Sequence, residues 1–152
     1  MKTNVYVFIV LMALLAESKL HAQERLIEDF VENTILKEDV SNLKAFLSLS
    51  NNITNKEGYQ EFFKKDFKSI KNSMGKDCET NYVIKDYKGA ESMNLVDFNL
   101  YKKNYADFEN VYFVICGKKI MLPVITENNK IISFQTGIMK KQNQDLTPYL
   151  LN

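Results

Sequence analysis

The sequence predicts an α+β domain, with N-terminal helices packed on a curved antiparallel sheet of four to five strands. Three observations carry that prediction. Apolar residues recur at helical spacing before Gly75 and at alternate positions after it. Residues 54–74 form one long stripe of aromatic and aliphatic side chains with a stop signal at Gly75. Two turn-forming tetrapeptides, Cys116-Gly117-Lys118-Lys119 and Glu127-Asn128-Asn129-Lys130, separate three short apolar runs, which is the pattern of a meander.

The elements follow in chain order. Met1-Lys2-Thr3-Asn4 carries one basic side chain, and Val5 to Ala16 is a run of twelve residues without a charge. Small residues follow at Ala16 and Ala22. A basic start, an apolar run and a small-residue site are the parts of a secretory signal peptide. Twelve helical residues span roughly 18 Å, short of a bilayer core of about 30 Å. Cleavage is expected after Ala22, with Ala16 the second choice, so residues 1–22 are read as signal peptide and 23–152 as a single domain. Stable membrane insertion is not expected.

Residues 24–37 are predicted helical, with Leu26, Ile27, Phe30, Val31 and Thr34 on one face. A shorter helix is expected over about 40–49, with Leu43, Phe46 and Leu47 facing inward. Thr54 and Glu57 match a capping box that opens a third helix. Its stripe is Tyr59, Phe62, Phe63, Phe67, Ile70 and Met74, opposite Lys64, Lys68 and Lys71. Strands are then expected near 80–87, 93–104, 110–116, 119–126 and 130–139, with an irregular tail at 145–152. The strand over 93–104 rests on Val96, Phe98 and Leu100 alternating with Asp97, Asn99 and Tyr101.

Composition excludes several kinds of chemistry. The whole chain has 20 Lys and Arg against 19 Asp and Glu. Removal of Lys2, Lys19 and Glu17 leaves 18 against 18, so net charge gives no argument for nucleic acid as a partner. The one histidine, His21, lies in the predicted signal. A mature chain without histidine has no Ser-His-Asp or Cys-His arrangement and no imidazole for a metal. No phosphate-binding, dinucleotide, hydrolase or calcium-loop motif occurs. No catalytic residue, cofactor or metal ligand is therefore assigned. Asn52-Ile53-Thr54 is a glycosylation sequon.

Cys78 and Cys116 are the two cysteines. Outside the cytoplasm they can form a disulfide, worth about 4 kcal/mol for a loop of this length. Otherwise they are two buried thiols acting as small apolar residues.

Two groups of residues are candidate sites. Val111 to Ile115 and Ile120 to Ile125 are apolar on both faces, so something must cover the second face. The cover is the chain's own structure, a second subunit or a ligand. This makes Tyr112, Val114, Leu122 and Val124 a candidate interaction surface. Pro123 marks an edge or a bulge there. On the predicted 93–104 strand, Asp97, Asn99 and Tyr101 share one face and form a candidate pocket, the alternative being an ordinary solvated face.

Helices first, the Tyr59–Met74 helix, and then the Tyr112–Phe134 meander: this order resembles the cone-shaped nuclear transport factor 2-like and cystatin-like architectures. The resemblance implies a curved sheet around a pocket. Enzymes of that group resemble ketosteroid isomerase or dehydratases and use an Asp/His or Asp/Tyr set, for which this mature chain has no histidine and no matching position. One fold of this kind hosts many functions. The expectation is an exported, periplasmic or secreted, non-catalytic binding or interaction module. Its partner would be a protein or an apolar small molecule, or a second copy in a homodimer. A small-molecule binder or isomerase-like enzyme, and a secreted inhibitor or immunity-type protein, are the alternatives.

Overall fold

A computed structural model describes residues 20–134 and 146–151. It is an α+β fold in which one antiparallel sheet, in the order β1-β2-β3-β4, lies between helices on both faces.

The helical elements on the first face come from the N-terminal half. Helix α1 is α-helical over 20–30 and continues as a π-turn, Val31–Ile35, closed by Leu36 N–H on Val31 O at 2.9 Å. Its inner face is Ile27, Phe30, Val31, Thr34 and Ile35. The second helix is shorter than its sequence pattern predicts. α2 is Leu43–Phe46 alone, preceded by a turn in which Asp39 Oδ1 accepts from Ser41 N–H at 2.8 Å. α3, Asn51–Thr54, is one further turn and carries the sequon.

The predicted capping box at Thr54 does not form. Gly58 takes φ +77, which no residue inside a right-handed helix can adopt, so it ends the α3 segment and opens α4, Tyr59–Met74. Phe63, Phe67 and Met74 are buried from α4, and Gly75 caps its end at φ +72 with its N–H on Lys71 O. A short 3₁₀ turn, Lys76–Cys78, leads to the sheet.

The sheet comprises β1, Tyr82–Asp86; β2, Val111–Cys116; β3, Lys119–Glu127; and β4, Lys130–Ser133. Neighbours in the order pair antiparallel. Bulges fall at Val114/Ile115 and Ile125/Thr126. Pro123 sits between them and pairs only with Phe113, because β4 begins its pairing at Ile125. A residue without an N–H is tolerated on that unpaired side. The last strand was predicted over 130–139. Residues 135–139 lie outside the described set. The outer edge of β4 is blocked by Ser48 N–H on Ile131 O and Leu151 N–H on Ile132 O.

The clearest correction concerns 93–104, predicted as a strand. Residues 93–97 form a turn and 98–104 lie in a helix: α5, Tyr87–Ser92, and α6, Phe98–Tyr105, are both inserted between β1 and β2. Phe98, Tyr101 and Tyr105 recur at helical spacing and pack on Phe113, whereas Val96 and Leu100 are 77% and 52% exposed. The apparent alternation came from two apolar residues that face solvent.

The core is therefore double. Tyr112, Val114, Leu122, Val124 and Ile131 meet α1, α2 and α4 on one face. Val111, Phe113, Ile115, Ile120, Ile125 and Ile132 meet α5 and α6 on the other. Cys78 and Cys116 form a disulfide with Cα atoms 5.7 Å apart, tying the 3₁₀ turn to the end of β2.

Candidate functional site

The two-faced apolar hairpin is enclosed by the chain's own helices. Val114, Leu122 and Val124 are at most 3% exposed, and so form no surface. Val114 and Leu122 are cross-strand partners on the same face. Tyr112 differs from these three, because it also lines a cleft.

That cleft, of about 450 Å³, opens where β1 ends and β2 begins. Asp86 closes β1 and caps α5, its Oδ1 accepting from Gly89 N–H at 2.8 Å. A Cβ on Gly89 would lie 2.8 Å from that oxygen, so a side chain there would displace the capping carboxylate. Tyr87 and Lys88 follow on the same wall. The opposite wall is Ala106, Phe108, Glu109 and Asn110 at the end of α6. Phe108 N–H bonds Tyr105 O at 3.3 Å, and Asn110 O accepts from Thr126 N–H at 3.0 Å, which fixes this turn against the sheet. Leu20 of α1 completes the lining.

The phenol of Tyr112 is pushed up to about 12, first by burial and then by the carboxylates of Asp86 and Glu24. It therefore stays protonated at neutral pH, a form that can donate a hydrogen bond. The rest of the lining offers the Asp86 and Glu109 carboxylates, the Lys88 ammonium and the rings of Tyr87 and Phe108. This set suits recognition of a ligand with an apolar body and a polar or cationic end.

The other predicted residues fall elsewhere. Asp97 stands just before α6, and both carboxylate oxygens lie 3.2 Å from Ile120 N, whose N–H they share. Its carboxylate pins α6 to the β2–β3 hairpin, reinforced by Val96 N–H on Lys118 O. Asn99 is exposed on the first turn of α6. Tyr101 packs on Phe113 and is pushed up to about 12 by burial and then by Asp97. On a helix these three do not share a strand face, so the pocket built on that face is lost. Asp86 was missed although the sequence carries a signal for it: an N-cap acid ahead of a glycine after a strand pattern.

Elsewhere, Ile53, Tyr59, Phe62, Phe63 and Tyr149, with Lys56 and Glu57 among the lining, form a groove of about 240 Å³. Asp66 on α4 has a buried Oδ2 without a partner, and burial raises its carboxyl to about 6. Among the described residues, no group of three or more His, Cys, Asp or Glu is placed to hold a metal ion. No described helix is long and apolar enough to cross a membrane. No family model, curated protein or solved structure matches this chain.

Proposed function

We propose that this chain is an exported, non-catalytic binding module that receives its ligand in the cleft at the β1–β2 end of the sheet. The observation that carries this reading is the setting of Tyr112. Its phenol, kept protonated by burial and by the nearby Asp86 and Glu24 carboxylates, belongs to an opening that also holds Asp86, Glu109 and the rings of Tyr87 and Phe108, which favours recognition over acid–base chemistry near neutrality. The disulfide supports an oxidising location. Cleavage after Ala22 would take Leu20 out of the cleft wall and widen access to Tyr112.

The ligand class is a partner segment or small molecule with an apolar body and a cationic end that meets Asp86 and Glu109. The test is cross-linking and capture in the native envelope fraction, with the processed chain and with Ala106→Trp. Ala106 is exposed on the cleft wall, so a tryptophan fills the opening without entering the core. A ligand retained by the parent chain and lost by Ala106→Trp, at unchanged thermal stability, is the expected result. Equal retention by both would remove the cleft from the reading.

A further inference from the structure

The two edges of the sheet differ. β4 is closed by Ser48 and Leu151, whose N–H groups bond Ile131 O and Ile132 O. β1 is the other edge. Alternate residues of an edge strand direct N–H and C=O away from the sheet. Beyond the ladder to β2 and the start of α5, no hydrogen bond among the described residues reaches the backbone of Tyr82–Asp86. Val83 and Lys85 on this strand are exposed.

A row of carboxylates follows the same edge. Glu24, Glu28 and Glu32 stand four residues apart and so share one flank of α1. The phenol of Tyr82 is pushed up to about 12, first by burial and then by Glu32, Glu28 and Asp29. Tyr112, opposite Asp86 at the other end of β1, feels Glu24. The flank therefore runs along β1. Phe30, two residues from both Glu28 and Glu32, lies on the opposite side of α1 and packs on Phe67 of α4. The glutamates thus face away from α4, toward the free edge. Residues 24–32 hold four acids against one base, Arg25. Glu28 and Glu32 are exposed, with no ion-pair partner among the described residues. In a chain cut after Ala22 the new ammonium of Gln23 adjoins Glu24, while Glu28 and Glu32 lie about one and two turns beyond.

We propose that the β1 edge takes up an extended partner segment as a fifth strand, with lysine or arginine at alternate positions facing α1. Backbone pairing holds the segment, and Glu28 and Glu32 select its charge. The stem of Lys85 lies beside Gly89 of α5 on the opposite face, which disfavours cations there. A second copy pairing antiparallel through β1 would set the two glutamate rows against each other. The inference does not depend on the ligand of the Tyr112 cleft.

The test uses the exported, processed and disulfide-bonded protein, isotopically labelled. The probe is a synthetic peptide of alternating lysine and valine, followed by fluorescence anisotropy and by NMR of the protein's backbone amides. One control is the same peptide N-methylated at every residue, which keeps the charge and removes the ladder donors. The other has glutamate in place of lysine. Saturable binding by the lysine peptide alone, with shifts over Tyr82–Asp86, is expected. Glu28 and Glu32 are exposed, so Glu28→Lys with Glu32→Lys keeps the fold, which the melting temperature checks. The double variant should bind about tenfold more weakly or worse, and Ala106→Trp should bind as the parent does. No saturable binding, equal binding of either control, or undiminished binding by the folded double variant would overturn the proposal. Shifts confined to Phe108–Tyr112, or binding lost in Ala106→Trp, would overturn it by assigning the peptide to the cleft. A dimer of the protein alone, formed through β1, would overturn it by assigning the edge to a second copy.

Discussion

The two faces of the sheet are built alike in chemistry and differently in sequence. On the first, Phe30, Phe63, Phe67 and Phe134 form a ring cluster with neighbouring centroids 5.2 to 6.1 Å apart. On the second, Phe113 is surrounded by Tyr87, Phe98, Tyr101 and Tyr105 at 5.8 to 6.3 Å. The first cluster draws on long helices that precede the sheet. The second comes from two helices of six and eight residues inserted between β1 and β2. The second layer turns the sheet from a half-exposed surface into an enclosed one. It also explains why β2 and β3 carry no polar face.

The comparison breaks most severely if either face is opened. Val114 belongs to the first face and Ile115 to the second, and both are fully buried. Lysine at either place buries an unpaired charge, at a cost of several kcal/mol against a total stability of about 5–15 kcal/mol. Both variants should unfold, as read by near-ultraviolet circular dichroism. A folded Ile115→Lys monomer would mean that α5 and α6 do not cover the second face.

The disulfide gives the next effect. It closes a separation of 38 residues between the 3₁₀ turn that follows α4 and the end of β2, and so links the first helical layer to the sheet. Its reduction should lower stability by about 4 kcal/mol, less any residual structure in the unfolded chain. Urea unfolding with and without reductant measures this. An unchanged midpoint would mean that the bond is not formed.

A smaller effect follows from Asp66 on the first layer. Its folded-state carboxyl titrates near 6 because of burial, against 3.8 for the ordinary group. Below about pH 4 the group is neutral folded and unfolded, and the shift costs nothing. Between about pH 4 and 6 the unfolded chain releases the proton first, so stability falls as pH rises. At pH 7 the loss is about 1–2 kcal/mol after allowance for partial solvent contact. Asp66→Asn should recover it and flatten the slope, as urea midpoints across that range would show. An unchanged slope in Asp66→Asn would rule out a dry carboxyl.

The smallest effect is the most specific to the second layer. Leu100→Ala should change stability by no more than about 0.5 kcal/mol, because the side chain faces water on α6. An inward-facing leucine on a strand would cost about 2–5 kcal/mol. Thermal denaturation separates the two.

The first layer was readable because its signals agree. Ile27, Phe30 and Val31 in α1, and Phe63, Phe67 and Met74 in α4, repeat at helical spacing, and Gly75 stops α4. The hairpins were readable from Gly117 and from Asn128-Asn129, which adopt the positive φ their turns need. The second layer was not. Val96, Phe98 and Leu100 alternate as in a strand, while the buried Phe98 and Tyr105 lie seven apart with Leu100 exposed between them. In an eight-residue helix one exposed leucine is enough to reverse the apparent period. The absence of a polar face on β2 and β3 did announce that a cover existed, but not that it was made by 87–105. Of the candidate sites, Tyr112 was named from the sequence for a surface and is found in a cleft. Asp86 and Glu109 become neighbours in that cleft only through the sheet order, which local pattern does not encode.

Amide hydrogen exchange over Val111–Ile125 in the isolated, disulfide-bonded protein tests the enclosed sheet most directly. A sheet covered on both faces by its own helices should exchange these amides only through global unfolding, with protection matching the stability from urea and independent of protein concentration. Rapid exchange in the monomer, or protection that appears only as concentration rises, would contradict it and return the hairpin to the role of an interface.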